Sequence, residues 1–337
     1  MSRWHSWIPV PASRTGVAIV VLVLLGAIAA PLVAPHATGD RFPDLLNAPP
    51  TAPHLIDRSG RVRAPFIYPW RIASRLEQRF EQDTSAPVPL QWFSGGRLVA
   101  TDASRMPLLL LGADSYGRDV FSRLLFGARV SLALALVAAL GSMIVGGLVG
   151  AISGYAGGWT DDLLMKGTDV VMILPTMYVA LALRAVLPLV LEPSTIFAFL
   201  TAIFAIIGAP FVSRGVRGIV RTERHLDYAV AAVSLGAGHV RLLWRHLLPA
   251  ARGFLAVQVT MLVPAFIVAE ATLSFVGLGF TEPVASWGTM LQEASNVRTF
   301  ADFPWLLSPA AAIFTFVLGL NLILQRQPDV WVKKPST

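Results

Sequence analysis

The chain has 337 residues, of which 55% are hydrophobic and 14% are charged, and its mean hydropathy is +0.63. A typical soluble domain carries about 25% charged residues, so this composition argues against a soluble enzyme, and it excludes a disordered chain, which needs low hydrophobicity. The lack of cysteine excludes disulfides, thiolate zinc sites and iron–sulfur clusters. The net charge of +7 comes mainly from arginines that stand between long apolar runs, which indicates an integral membrane protein.

Six apolar stretches are long enough to cross a membrane, which takes about 20 mostly apolar residues. Runs of this length lack the alternating polarity of barrel strands. The sequence therefore predicts an all-α, polytopic helical membrane protein with six transmembrane helices. In chain order the stretches are 16–33, 130–153, 170–190, 194–212, 254–278 and 305–324.

The first stretch has some features of a secretory signal, because Arg3 and Arg14 precede it and Ala27–Ala30 resembles a small-residue cleavage region. Pro31 follows directly and disfavours cleavage there, and the stretch is long enough to span. We therefore expect segment 1–35 to hold an N-terminal tail and an uncleaved first helix.

The distribution of arginine and lysine in the short loops indicates the orientation. Between the fourth and fifth stretches, seven arginines face two acidic residues, and the tail 326–337 adds three basic residues. Segment 279–304 has one arginine and three acids. With six spans, both termini and the arginine-rich loop are expected in the cytoplasm. The short loop predicted at 154–169 disagrees, because its one lysine stands against three acids.

Segment 36–111 follows the first of the six spans, so with a cytoplasmic N-terminus it is expected on the external side of the membrane. It is rich in proline and carries nine arginines, but long loops escape the positive-inside rule. Its apolar run at 108–111 is too short to span. We expect either a small external excursion packed over the mouth of the bundle or a partly disordered linker, and the sequence leaves both open.

The sequence contains no motif of nucleotide or metal chemistry. A P-loop needs a lysine followed by serine or threonine, whereas the three lysines precede Gly, Lys and Pro. HExxH and GxSxG are absent, and the six histidines lack metal-ligand spacing. We therefore expect no catalytic, cofactor-binding or metal-binding residues. The chain is predicted not to be an enzyme, and its energy source is an ion gradient or a separate subunit.

Residues 227–249 predict two short helices within the arginine-rich loop. The first is expected to end at Gly236, which permits a sharp turn. The second is expected to end at Pro249 and to carry Arg241 and Arg245 outside its apolar face. This element offers a compact apolar knob with a basic rim, and an amphipathic helix lying on anionic lipid is the alternative.

This stretch resembles the EAA coupling motif of ABC importer permeases, in which an Ala-Ala pair precedes a glycine and a later proline. Ala231, Ala232, Gly236 and Pro249 match the motif, while Val230 stands at the place of the leading glutamate. The match gives the cytoplasmic element an expected role in contacting an ATPase.

Ahead of the second stretch, residues 111–132 resemble the LGTDxxGRDxxSRxxxGxRxSL signature of oligopeptide and dipeptide permeases of the C type, with Ala113 in place of Thr. Further matches at 154–166 and 270–279 keep the family's order and spacing. The resemblance covers about 111–322. The residues of this outer-mouth motif are Asp114, Gly117, Arg118, Asp119, Arg123 and Arg129.

Several charges are open to two interpretations. The outer-mouth motif forms either a salt-bridged cap over the second span or a docking site for a binding protein. Glu270, at a family position, is either a structural partner or part of the pathway. Arg184 either snorkels to the interface or contacts a peptide carboxylate. A charge at the bilayer centre costs about 2.5–3.5 kcal/mol on insertion scales. Glu270 and Arg184 are therefore candidate pathway residues.

The resemblance implies the permease architecture of a type I ABC importer in a bacterial inner (plasma) membrane. Its core would be 112–325, with coupling helices at about 223–250. An external binding protein would deliver peptide, and a second permease would complete the path. Two ATPase subunits would use ATP and dock on the EAA residues, with Arg241 and Arg245 pairing with their acidic groups. No cofactor in this chain and no nucleic acid are expected.

Alternatives remain at this point: an ABC permease for another solute such as nickel or an opine-like compound, a gradient-driven secondary transporter, or a structural scaffold. A secondary transporter predicts inverted repeats, and no clear repeat is visible. The tail after Asn321 departs from the family pattern, and the excursion is longer than usual for the family. The second span is expected to pack closely against another helix through Gly141, Gly146, Gly147 and Gly150.

Overall fold

The computed structural model describes residues 12–57, 60–75, 77–175, 178–179, 182, 192–295 and 301–324. They form two compact units, one from the described residues of Met1–Ser131 and Ser274–Thr337, the other from those of Leu132–Leu273. The described chain is mostly helical. Its α-helices are α1 (Ala12–Ile28), α2 (Ala30–Val33), α3 (Val120–Ala156), α4 (Gly158–Ile173), α5 (Pro193–Glu223), α6 (Asp227–Ser234), α7 (His239–Leu242), α8 (Arg252–Phe275), α9 (Trp287–Glu293) and α10 (Ser308–Leu324).

Four helical stretches are long and apolar enough to cross a membrane, and they overlap the second, fourth, fifth and sixth predicted spans. The first predicted span coincides with a shorter apolar helix, Arg14–Ile28. Most of the third, 170–190, lies outside the described residues, as does the tail 326–337. The four long stretches are Val120–Ala156, Pro193–Glu223, His239–Phe275 and Pro304–Leu324.

The first helix packs closely against the last one. A Cβ built on Gly16 would lie 2.6 Å from the carbonyl oxygen of Gly319, and one built on Gly319 would lie 2.9 Å from Cγ2 of Ile19. Small residues allow two helix backbones to approach in this way inside a membrane. Because α10 belongs to a stretch long enough to span, α1 lies beside a spanning helix despite its shorter length.

The all-α prediction is wrong for residues 36–111, whose described part forms short strands. Prolines and glycines divide this segment into short pieces, and the search for long apolar runs does not detect pieces of that length. The strands are β1 (His54–Ile56), β2 (Val62–Ile67), β3 (Trp70–Ser74), β4 (Arg79–Gln82), β5 (Val88–Pro89), β6 (Gln91–Trp92) and β7 (Val99–Ala100).

These strands form small antiparallel sheets with an apolar core of their own. Phe66 of β2 stands opposite His54 of β1 and Pro89 of β5, while β3–β4 and β6–β7 are separate hairpins. The core consists of Leu45, Ala48, Ile67, Val88, Met106, Leu108, Leu109 and Ala113. The described residues of this segment are therefore folded, which argues against the partly disordered linker.

The prediction of a loop at 154–169 is also wrong, because most of these residues belong to α4. Two glycines with positive φ separate α3 from α4: Gly157 at +66° and Gly158 at +56°. Glycine adopts these angles without steric penalty, so the chain turns sharply and a new helix begins at once. The hydropathy pattern had assigned this polar helix to a loop.

Helix α3 packs against α5 through glycines. A Cβ on Gly141 would lie 2.8 Å from Cβ of Ala205, whereas a Cβ on Gly147 would have no heavy atom of the described residues within 4 Å. The predicted packing face is therefore correct at most of its positions and wrong at Gly147. At Gly146, Gly150 and Gly154 the added Cβ would meet backbone carbonyl oxygens of α5, those of Ala209, Ser213 and Arg217 respectively.

Candidate functional site

The first predicted helix of the arginine-rich loop is α6, and it ends in a Schellman motif. The amide of Gly236 donates to the carbonyl of Val233 at 2.9 Å, and the amide of Ala237 donates to the carbonyl of Ala232 at 3.0 Å. Gly236 has φ of +85°, a conformation in which glycine avoids the strain of a side chain. The turn predicted at Gly236 is therefore confirmed.

Large apolar side chains stand exposed around this turn. Leu235 is 89% exposed and Val240 is 72% exposed. Exposed apolar patches of this kind mark contacts with a partner protein or with lipid. We call the following residues the coupling surface: Tyr228, Val230, Val233, Leu235, Val240 and Trp244.

The remaining residues of the EAA resemblance lie in or beside this surface. Ala231 is exposed and Ala232 is half-buried on α6. Arg241 and Arg245 are both exposed on the second helix, close in sequence to Val240 and Trp244 respectively. The apolar surface therefore has a basic rim.

Pro249 does not end the second helix, contrary to prediction. The helical path runs without a break over His239–Phe275, through a π-helical turn at Leu243–Leu247 and a 3₁₀ turn at Leu248–Ala251. Pro249 stands in the first turn of the 3₁₀ segment, where its missing amide is not needed. The second coupling helix therefore leads directly into a stretch long enough to span.

Side-chain contacts join the coupling element to the end of α3. The guanidinium of Arg224 donates to the carbonyl oxygens of Tyr155 at 2.7 Å and Gly154 at 3.3 Å. The hydroxyl of Tyr155 is hydrogen-bonded to Nδ1 of His239. Arg224 precedes α6 and His239 begins α7, so both sides of the first coupling helix are connected to α3.

An ion pair between α4 and α5 was not predicted. Arg217 binds Asp161 through two hydrogen bonds of 2.5 Å, and the hydroxyl of Ser153 donates to the same carboxylate. The Arg217 guanidinium and the Ser153 hydroxyl lower the pKa of Asp161 to about 2. Asp161 falls in the family match at 154–166, but its partner lies 56 residues away and carries no local signal.

The outer-mouth motif provides the centre of a buried charge network, which we call the arginine cluster: Asp114, Arg118, Arg123, Glu282 and Glu293. Arg118 is 2% exposed. Its Nε donates to Asp114 at 2.7 Å and its Nη2 to Glu293 at 2.6 Å, while its Nη1 contacts Glu282. Nη2 of Arg123 lies 3.0 Å from both glutamates.

The two glutamates were missed as partners in the sequence. The available signal was the excess of acidic residues in 279–304, because this segment and the arginine-rich outer-mouth motif are predicted on the same side of the membrane. The structure brings Asp114, Arg118 and Arg123 together within one network. This geometry favours the salt-bridged cap over the docking site, since both guanidiniums and Asp114 are buried and are paired within the chain, and Glu282 is the most exposed member, at 39%.

The other residues of the motif lie apart from the arginine cluster. Asp119 is hydrogen-bonded to Nδ1 of His36 at 3.2 Å. Gly117 has φ of +74°, and a Cβ there would meet the carbonyl oxygen of Phe42. Arg129 is exposed. The motif therefore supplies three members of the network and one glycine that the local backbone requires.

Of the two candidate pathway residues, Glu270 lies on α8 and is completely buried within this chain. Its burial favours the structural alternative. Arg184 lies outside the described residues.

Residues 146–331 match the family described as the binding-protein-dependent transport system inner membrane component. The oligopeptide transport system permease protein OppC of Bacillus subtilis is 37% identical over 63% of this chain and 67% of its own length. The dipeptide transport system permease protein DppC of Haemophilus influenzae is 33% identical over 78% of this chain and 81% of its own. The glutathione transport system permease protein GsiD of Pectobacterium atrosepticum is 36% identical over 63% of this chain and 68% of its own length. This chain belongs to the family.

Membership makes the protein a permease subunit of an ABC transporter and not its ATPase. The predictions that it is not an enzyme and carries no cofactor are confirmed by the nature of the family. As an inner membrane component with several spanning helices, the permease works within a binding-protein-dependent transport system.

The arginine cluster of the permease holds three carboxylates against two guanidiniums, so one added proton makes it neutral. Burial and a hydrogen bond with Glu282 raise the pKa of Glu293 to about 8. Burial opposes ionisation of Glu282 too, but hydrogen bonds with Glu293 and Arg118 outweigh it and lower the pKa of Glu282 to about 2. Two adjacent carboxylates divide their ionisation in this way: the partly exposed Glu282 keeps the charge, and the more buried Glu293 keeps the proton.

This arrangement predicts a pH dependence of stability. The pKa of Glu293 is about 8 in the folded permease, whereas an ordinary glutamate, as in the unfolded chain, has a pKa of 4.5. Its contribution to stability is therefore complete below 4.5 and is lost as the pH rises towards 8. We expect the midpoint of thermal unfolding of the purified complex to fall over this range, and Glu293→Gln to flatten that fall.

The exposed Glu81 of β4 provides the control, since Glu81→Gln is expected to leave the slope unchanged. An equal slope in the parent and in Glu293→Gln would contradict the prediction. Glu282 does not interfere, because its transition lies below pH 4.5.

Proposed function

We propose that the chain is one of two different permease subunits of an ATP-driven importer of short peptides. The curated relatives are named for oligopeptide, dipeptide and glutathione transport. Glutathione is itself a tripeptide, so these names share one chemical class. An external binding protein delivers the peptide, and two ATPase subunits supply the energy.

The observation that carries this proposal is the coupling surface. Exposed apolar side chains in a cytoplasmic loop need a partner, and Leu235 has the highest exposed fraction of the coupling surface, 89%. Arg241 and Arg245 at the rim complement acidic groups on that partner, as the EAA resemblance implies for an ATPase. The ATPase docks at this surface.

Transport requires that docking be linked to the membrane helices. The coupling element leads into α5 on one side and α8 on the other, and Arg224 and His239 connect it to the end of α3. A displacement of α6 by the ATPase is therefore applied to three spanning stretches. ATP and peptide must bind the inward-open and outward-open states with different affinity for the cycle to run.

The same proposal includes a topology of six transmembrane helices with both termini in the cytoplasm. The core is 112–325, with coupling helices at about 223–250, and the tail is 326–337. Segment 36–111 then lies outside the membrane, on the side from which peptide arrives. A single-cysteine scan is well suited to test this, since the chain contains no cysteine.

Gly236→Val tests the coupling role. A β-branched residue is strained at φ of +85°, so the variant displaces the turn between the coupling helices, although within the described part of the chain no heavy atom lies within 4 Å of the added Cβ. We expect uptake to be abolished while insertion into the membrane is retained. The measurement is peptide uptake by cells that express the variant, with its membrane content determined by immunoblot.

The matched control is Gly238→Val. Gly238 also has open space at its Cβ position, but its φ of −67° suits any residue. Normal uptake by Gly236→Val would refute the coupling proposal. Purification of the chain from its native membrane, with identification of co-purifying proteins, tests the partners: a second permease and ATPase subunits are expected.

A further inference from the structure

The β6–β7 hairpin carries two exposed aromatic residues at its tip. Trp92 is 56% exposed and Phe93 is 74% exposed. The amide of Phe93 donates to the carbonyl of Leu98 at 3.1 Å, which closes the tip. Phe93 has φ of +53°, an unfavourable conformation for a bulky residue. The fold therefore retains a strained backbone that presents an aromatic ring to the surroundings, as functional sites do.

The hairpin is hydrogen-bonded to α2, the short helix that follows α1. The amide of Leu98 donates to the carbonyl of Leu32, in the last turn of α2, at 2.7 Å. Leu32 is 47% exposed and Ile28, one turn earlier, is 71% exposed. In a membrane protein these exposed apolar side chains of a helix beside a spanning helix face lipid. The hairpin therefore begins next to a lipid-facing surface.

The combined length of α1 and α2 places the attachment point at a membrane boundary. Arg14 is exposed near the start of α1, and a charged residue there marks one interface. Leu32 follows Arg14 by 18 positions along α1 and α2, which Ala29 separates, and at 1.5 Å per residue this largely helical path extends about 27 Å. The hydrocarbon core of a bilayer is about 30 Å thick. Leu32, and with it Leu98, therefore lies at the opposite interface.

The chemistry of the hairpin suits that position. No acidic residue occurs between Asp83 and Asp102, and Arg97 is the one charged residue in this interval. Tryptophan is enriched at the membrane interface because its ring is apolar and its N–H remains hydrated. Arg97 is paired with Asp40 at 4.0 Å, so the interfacial character of the hairpin rests on its aromatic rings. Phe93 supplies a purely apolar ring at the tip.

We propose that Trp92 and Phe93 insert into the interfacial layer of the bilayer and anchor the β-rich segment 36–111 on lipid beside the first helix. This assigns the hairpin a lipid contact, which goes beyond peptide import. It requires a membrane-embedded chain but neither a particular substrate nor the coupling role of Gly236. The side of the membrane follows from the proposed topology, and the lipid contact itself does not depend on it.

The test uses the absence of cysteine. Phe93→Cys and Trp92→Cys introduce single attachment sites for a nitroxide label, and the parent chain reports any background from partner subunits. The complex is reconstituted in vesicles of phosphatidylethanolamine and phosphatidylglycerol. Electron paramagnetic resonance then compares collisions of the label with oxygen, which concentrates in lipid, and with a water-soluble nickel chelate. Cysteine at position 93 adds no more backbone strain than the native phenylalanine.

Val62→Cys is the matched control, because Val62 is an apolar residue of the same segment, 79% exposed and flanked by two arginines. We expect the ratio of oxygen to nickel accessibility to be severalfold higher at positions 92 and 93 than at 62. Equal ratios at all three positions would overturn the proposal. So would nickel access at 93 that is lost only when an external binding protein is added, since the hairpin would then be a protein contact.

Discussion

Replacing Arg118 by methionine is expected to lower the free energy of unfolding of the permease by about 3–5 kcal/mol, the usual cost of breaking a buried ion pair from one side. Arg118 is 2% exposed and contacts Asp114, Glu282 and Glu293. Without its guanidinium, the guanidinium of Arg123 is the one remaining cation paired with these three acidic residues among those that the structure describes. The measurement is the midpoint of thermal unfolding of the purified complex, followed by loss of solubility in detergent.

Two further variants make this result specific. Arg118→Lys is expected to fall between the parent and Arg118→Met, because an ammonium group cannot bind three carboxylates in the planar geometry of a guanidinium. Arg129→Met removes an exposed arginine of the same motif and is expected to change stability by less than about 0.5 kcal/mol. Equal midpoints for Arg118→Met and Arg129→Met would show that the arginine cluster does not stabilise the fold.

The second large effect is expected from Gly150→Val. A Cβ at Gly150 would meet the carbonyl oxygen of Ser213 and approach its Cα to 2.9 Å, so α3 and α5 would have to separate. Overpacking of a tight contact costs about 1–3 kcal/mol when side chains can move, and here the obstacle is backbone. We expect a strong loss of folded permease and of peptide uptake, measured by protease resistance in membranes and by transport assay.

Gly147→Val is the control on the same helix. It adds the same β-branched side chain three residues away, at a position where the residues that the structure describes place no heavy atom within 4 Å of the new Cβ. Any general effect of valine on α3 is common to both variants, so the difference between them reports the α3–α5 contact. Comparable losses in both variants would contradict the assigned packing face.

The sequence alone determined the membrane class and the positions of most spans. Transfer of an apolar stretch into lipid is a local property of composition, so the stretches at 130–153, 194–212, 254–278 and 305–324 were recognisable without any tertiary information. The family was equally accessible, because the spacing of Ala231, Gly236 and their neighbours is local too. Even the turn at Gly236 followed from residue type alone.

The β-rich segment and α4 were not predictable in the same way. Strand pairing joins residues that are distant in sequence, as Phe66 and Pro89 are, and each strand by itself is too short to give a periodic signal. Helix α4 is polar enough to resemble a loop, and most of its residues were therefore assigned to the predicted loop 154–169. Both cases are decided by contacts that a hydropathy pattern does not contain.

The arginine cluster shows the same division most clearly. The charges of Arg118 and Arg123 were visible in the sequence, together with the possibility of a salt-bridged cap. Their partner Glu293 lies 175 residues from Arg118, and only the tertiary structure brings them to 2.6 Å. The sequence thus determined which residues lie in the membrane and which family they belong to, because hydropathy and motif spacing are local. The structure decided which charges are neutralised and which glycines touch, because burial and close approach depend on residues far apart in the chain.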